Sequence, residues 1–297
     1  MFKKTITAAL VAAALGSGPA LAQTPASPHS FSANIGLYSQ YIFRGLTQTN
    51  GDPAVQGGID YSHSSGFYLG TWASNISWLK ENATQANGAT IGLYGSGGNV
   101  EWDFYGGYKW NLSNDVTLDL GTLYYYYPGS ISDTYRALYP AGTDIPKADT
   151  WEIYYGLTWK WLSFKLSYSL MDDTFGVADS NGSSYFDLSA NVPLTKQLTL
   201  NLHLGKQIYG GTDRRNAVAN GRIRSNDDVY GYTDYKVGLS YALPRDITIG
   251  AFYSKADNAD ICGYGAYSEI GIGCTGPFPK NIARETGTVF ISKALSF

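Results

Sequence analysis

The sequence predicts an all-β protein, a transmembrane antiparallel up-and-down β-barrel of about twelve strands with short periplasmic turns and longer extracellular loops. Three observations carry this expectation. Segments of about ten residues alternate in polarity with period two, connections alternate short and long, and a secretory N-terminus is followed by no apolar run long enough for a membrane helix.

The N-terminus comes first. Met1-Phe2-Lys3-Lys4, an apolar stretch from Ile6 to Leu15, and Ala20-Leu21-Ala22 ahead of Gln23 follow the order of a signal peptide, so residues 1–22 are expected to be removed on export. A retained anchor is the alternative, but the apolar stretch is well short of the roughly 20 residues a spanning helix needs. Residues 23–31 then form a short periplasmic tail and 32–297 the barrel domain.

In a barrel wall every second residue faces lipid and its neighbours face the lumen. Leu198, Leu200, Leu202 and Leu204 alternate with Thr199, Asn201, His203 and Gly205. Val100, Trp102 and Phe104 alternate in the same way with Glu101, Asp103 and Tyr105, and Trp151, Ile153 and Tyr155 with Glu152, Tyr154 and Gly156. Strands are expected at 32–45, 54–62, 67–77, 99–110, 116–127, 149–160, 163–171, 184–192, 198–207, 232–242, 247–256 and 287–297. Their number is even, as bacterial barrels require.

Between them, short turns such as His63-Ser64-Ser65-Gly66 and Pro244-Arg245-Asp246 alternate with long segments near 46–53, 78–98, 128–148, 172–183, 208–231 and 257–286. A soluble β-sandwich could alternate too, but it would place polar residues outside. The aromatic residues at strand ends, among them Tyr124 to Tyr127, Trp151, Trp159, Trp161, Tyr230, Tyr232, Tyr235 and Tyr241, instead suggest interfacial girdles. The last strand places Val289, Ile291, Leu295 and the terminal Phe297 on one face, an arrangement resembling the strand that barrel-assembly machinery recognises. Lys293 interrupts that face and must reach an interface if it points to lipid.

Composition narrows the partners. The 25 Tyr, 12 Phe, 7 Trp and 35 Gly, with only 15% charged residues, suit a barrel embedded in outer-membrane lipid. The formal net charge of −3, or −5 without Lys3 and Lys4, argues against a nucleic-acid partner. Cys262 and Cys274, close together in a Gly-rich loop of an exported chain, are read as a disulfide, with free thiols as the alternative. With no His nearby they make a poor zinc site, and neither a metal nor a cofactor is expected.

The segment from Asn34 to Thr49, NIGLYSQYIFRGLTQT, continuing from Pro53 through Gly57-Gly58 to Asn75, closely resembles the opening of the TorF-like family of outer-membrane porins. The resemblance implies an outer-membrane barrel and a pore, without a particular solute. On the strand reading, Arg44 closes the first strand in the lumenal phase of Asn34, Gly36, Tyr38, Gln40 and Ile42. An internal salt bridge, for example to Asp60, is its first reading, and a role in charge selectivity its second.

The lumen is expected to be lined by Arg44, Asp60, Glu101, Asp103, Lys109, Asp119, Glu152, Lys160, Lys165, Asp187, His203, Lys206 and Lys236. Charges of both signs facing one another set a transverse field that selects among small polar solutes. Catalysis would need a nucleophile with a His in reach. His29 falls in the tail, His63 in a turn, and His203 at mid-strand, where lining the lumen is the default. No catalytic residue is assigned, and the expected function is passive diffusion of small polar solutes. The alternatives are a non-conducting surface or adhesin-type barrel and, after it, an outer-membrane hydrolase.

Overall fold

In the computed structural model, which describes residues 27–297 apart from 82–83, 87–88, 138, 213–222 and 258–281, twelve antiparallel strands close into one barrel. They are β1 (His29–Tyr38), β2 (Ala54–His63), β3 (Phe67–Asn75), β4 (Val100–Asn111), β5 (Val116–Tyr126), β6 (Thr150–Trp159), β7 (Leu162–Ser169), β8 (Ser184–Pro193), β9 (Leu198–Ile208), β10 (Tyr232–Leu243), β11 (Ile247–Ala256) and β12 (Thr286–Ser296). Each strand pairs with its sequence neighbours. β12 returns to β1, with Tyr38 opposite Phe290 and Ser32 opposite Ser296, so the wall has no free edge.

Period two decides which residues point where. On β4, Val100, Trp102 and Phe104 are 41–44% exposed, while Glu101 and Asp103 between them are at 0% and 2%. Ile35 and Leu37 of β1, Leu202 and Leu204 of β9, and Val289 and Ile291 of β12 face outward in the same way. A wall with large apolar side chains outside and carboxylates inside is the reverse of a soluble sandwich. It suits hydrocarbon, where every backbone polar group must be satisfied within the wall.

Trp110, Trp159, Trp161 and Tyr241 stand exposed near the short-turn end, and Trp102, Tyr126 and Trp151 near the long-loop end. These are the girdle positions. Lys293 keeps its outward phase on β12 and donates from Nζ to the carbonyl of Arg245 at 2.6 Å. Its stem thus lies along the wall while its charge reaches the short-turn end.

Two features depart from the expectation. The first strand begins at His29 and ends at Tyr38, rather than running from 32 to 45. His29 is therefore in the wall, opposite His63, and not in a tail. Tyr38 is the last residue with partners on both sides, Ala54 and Phe290; β2 begins at Ala54, so beyond it the chain has β12 on one side alone, and the Ser39 N–H makes the last backbone bond to it, at the Val289 carbonyl, 2.9 Å.

The second departure is an apolar core at the long-loop end. Leu46, Trp78, Leu79, Leu93, Tyr94, Tyr127, Tyr135, Ile145 and Phe175 are buried together there, drawn from the connections between strands. Tyr125, Tyr127 and Tyr232, expected in a girdle, are buried inside this cap at 1–3% exposure. Short pieces of structure hold it. Tyr94–Gly97 pairs with Gly129–Ile131. Helix Asp133–Arg136 is capped by Ser132, whose Oγ accepts from the Tyr135 N–H.

Candidate functional site: the narrowed lumen

Residues 39–53 fold into the barrel. Ile42–Phe43 pairs with Leu46–Thr47, and the turn between them puts Arg44 and Gly45 at positive φ, 46° and 78°. A Cβ on Gly45 would lie 2.3 Å from Cβ of Asp234, so the loop tip meets the β10 wall where only glycine fits. Gln40 Nε2 donates to Thr286 Oγ1 at 2.6 Å, and the Thr47 N–H to the carbonyl of Ile282 at 3.0 Å. The Tyr41 hydroxyl donates to Glu101 Oε1 at 2.6 Å, and Tyr127 donates to the other oxygen at 2.8 Å.

Arg44 stands at the tip, on the loop and not on a strand. Its Nη2 donates to Glu152 Oε2 at 2.7 Å and Oε1 at 3.0 Å, and Nη1 to Gln207 Oε1 at 3.0 Å. The guanidinium also lies 4.2 Å from the centroid of the Tyr185 ring. The side chains of Arg44 and Glu152 are only 6% and 3% exposed. Burial works against the charge of Arg44, and the Glu152 carboxylate beside it offsets that cost. The partner is Glu152 of β6, not Asp60, because the loop carries Arg44 across the lumen.

Below the tip lies a cavity of about 290 Å³, lined by Gln40, Arg44, Asp103, Lys165, His203 and Lys236 among others. Around the barrel's interior wall the two arcs differ in charge. The arc from β2 to β6 presents Asp60, Glu101, Asp103, Asp119 and Glu152 against Lys109. Asp60 accepts from the Tyr105 hydroxyl. Asp119 accepts from Tyr68 at 2.6 Å and pairs with Lys109 at 3.7 Å. The arc from β7 to β10 presents Lys165, His203 and Lys236 against Asp187 and Asp234.

A family profile described as "Bacterial protein of unknown function (Gcw_chp)" matches residues 22–272, most of the chain. The chain belongs to the Gcw_chp family. No curated protein matches its sequence. The fold of this Gcw_chp barrel is similar to those of small outer-membrane channels. One is the KdgM porin, at 9% identity over 88% of this chain and 98% of that one, TM-score 0.46. Another is the NanC porin, at 13% over 89% and 98%, TM-score 0.46. A third is an outer-membrane channel from Pseudomonas putida F1, at 10% over 95% and 100%, TM-score 0.44. The likeness is one of architecture alone.

Within the Gcw_chp barrel, Asp60, Glu101, Asp103, Lys109, Asp119, Glu152, Lys165, Asp187, His203 and Lys236 face the interior from the strands, and Arg44 does so from the loop. Two expected lumenal residues do not. Lys160 is in a turn at φ 55°, half-exposed and 3.6 Å from Asp115, because β6 ends one residue earlier. Lys206 shares the outward phase of Leu202 and Leu204 and is exposed near the end of β9, where its amine can reach the interface. Cys262 and Cys274 lie outside the described residues.

Asp234 was not among the expected residues, although its phase on β10 is that of Lys236. It decides the role of His203. Nε2 lies 2.8 Å from Asp234 Oδ1, and Nδ1 lies 3.4 Å from Asp187 Oδ1 and 3.0 Å from Ser189 Oγ. Ser189 gives its own proton to Asp187 at 2.6 Å. Nε2 thus faces the Asp234 carboxylate, and Nδ1 faces the Ser189 hydroxyl together with the Asp187 carboxylate to which Ser189 donates.

Proposed function

We propose that this chain is an outer-membrane channel through which small polar solutes diffuse, narrowed by residues 39–53 with Arg44 at the constriction. The observation that carries the reading is the cavity of about 290 Å³ beside Arg44, into which Asp103, Lys165, Asp187, His203, Asp234 and Lys236 face. A structural barrel has no need for an interior in which acids outnumber bases on one arc and not on the other, whereas a pore uses such an imbalance as a transverse field across the path of a polar solute. The resemblance of residues 34–75 to TorF-like porins supports the same reading. On this reading residues 1–22 are removed on export, the short turns face the periplasm and the long loops face outward. The C-terminal strand ending at Phe297 is the handle for assembly.

The buried cap favours a second reading, a barrel sealed at its outer mouth that serves as a surface or structural protein. Purified protein reconstituted in planar bilayers separates the two. Stepwise conductance is expected for the channel. Its absence, with folding verified by heat-modifiable migration on gels, would overturn the channel and leave the sealed barrel.

A further inference from the structure

Three ionisable side chains that line the cavity, Lys165, Lys236 and Asp103, make no ion pair among the described residues. Lys165 rests its ammonium 4.1 Å from the centroid of the Tyr154 ring, and Lys236 rests its own 5.2 Å from that of Phe252. Neither reaches a carboxylate or a hydrogen-bond acceptor among the described residues, although each has an acid beside it in the wall. Lys165 stands opposite Asp187, and Lys236 stands opposite His203, whose strand neighbour on the other side carries Asp187 and Ser189. Those acids are occupied. Asp187 holds Ser189 and His203, and Asp234 holds His203 and the Tyr185 hydroxyl. On another wall Asp103 is buried, and its Oδ1 has no hydrogen-bond partner. Lys109 and Arg44, two further cationic side chains that face the interior, are taken by Asp119 and Glu152.

The unpaired charges come from β4, β7 and β10, three strands apart around a barrel of twelve. Two ammonium groups face one carboxylate across a common space. A buried charge without a partner is costly, and a solute that supplies the missing partner is held by that deficit. An anion alone would satisfy the lysines and meet Asp103 as a like charge. A cation would do the reverse. A solute carrying both a carboxylate and an ammonium answers all three.

We infer that the cavity beneath Arg44 is a binding site for a small zwitterion of the amino-acid kind, with the solute's carboxylate between Lys165 and Lys236 and its ammonium toward Asp103. A volume of about 290 Å³ has room for on the order of twenty waters, ample for a solute of about ten non-hydrogen atoms. The inference takes the channel reading as the solute's means of entry.

Calorimetric titration of the folded, full-length protein in detergent reads binding without requiring conduction. The probes are glutamine, glutaramate, which lacks the α-ammonium, and 4-aminobutanamide, which lacks the carboxylate. Glutamine is expected to bind at least about fivefold more tightly than either analogue, the effect of one unit charge at roughly 4 Å in water. Lys165→Met with Lys236→Met should abolish that advantage over 4-aminobutanamide, and Asp103→Asn should abolish it over glutaramate. Equal binding of glutamine and glutaramate, or no glutamine binding to the unsubstituted protein, would overturn the site, and the analogue comparison holds even if a variant fails to fold. Glutamine binding without bilayer conductance would count against the channel alone.

Discussion

The Arg44–Glu152 contact is the place where one substitution tests the whole arrangement. Arg44→Met keeps an apolar stem of similar reach but leaves the Glu152 carboxylate, 3% exposed, with only the more distant Tyr125 hydroxyl at 3.4 Å. Removing one partner of a buried pair costs about 3–5 kcal/mol. The loss includes the Gln207 bond at 3.0 Å and the stacking on Tyr185. Glu152→Gln, which keeps an acceptor, should cost less, about 1–3 kcal/mol. The double variant removes both charges, so it should be more stable than the sum of the two losses predicts, by about 2 kcal/mol. Urea unfolding in lipid vesicles, followed by tryptophan fluorescence, measures all four corners. In planar bilayers, Arg44→Met should also widen the conducting state, because the loop tip loses its tether to the far wall. Losses that add within about 0.5 kcal/mol, with unchanged conductance, would refute the view that this pair seats the loop.

Gly45→Ala should lower the melting temperature more than Gly51→Ala. Both have positive φ, but a Cβ at Gly45 would strike Asp234 while Gly51 has open space around it. Leu202→Lys, on the outward face of β9 away from either end, should cost about 2–4 kcal/mol of folding free energy in a bilayer, whereas Lys206→Leu should be neutral or stabilising. Asp149 in the long-loop cap accepts the Tyr127 N–H at 2.8 Å, yet burial pushes its carboxyl above the usual range. For an acid with a raised folded pKa, the stabilisation is present below its unfolded value and lost as pH rises through the folded value. Thermal stability should accordingly fall across that window, and Asp149→Asn should flatten the dependence.

The wall was legible because membrane and lumen impose opposite demands on alternate residues, and Leu198 to Gly205 or Val100 to Tyr105 record that alternation directly. Residues 39–45 were misleading for the same reason. Tyr41 and Phe43 alternate with Ile42 and Arg44 as a strand would, and only the loss of the β2 partner beyond Tyr38 shows that they leave the wall. Arg44-Gly45 was the available clue, since glycine beside a charged residue at a strand end marks a turn. The positions of Lys160 and Lys206 are readable in the sequence, since Lys160 follows the last strand residue Trp159 and Lys206 shares the phase of Leu202 and Leu204. The cap was not readable, because Leu46, Trp78, Tyr127 and Phe175 come from separate connections and meet only through tertiary packing. The same holds for His203, whose meaning depends on Asp187 and Asp234 on two different strands.

The inserted loop is tied to both ends of the chain's construction. Gln40 and Thr47 are anchored on Thr286 and Ile282, at and just before the start of the final strand, while β1 waits for β12 to complete its own pairing. Until the last sixteen residues arrive, the loop lacks these two anchors and a closed wall around it. Narrowing of the lumen is therefore a late event of assembly. A partly built barrel would be open twice over, along its seam and through its middle, and a single step of strand addition would shut the seam and seat the loop together.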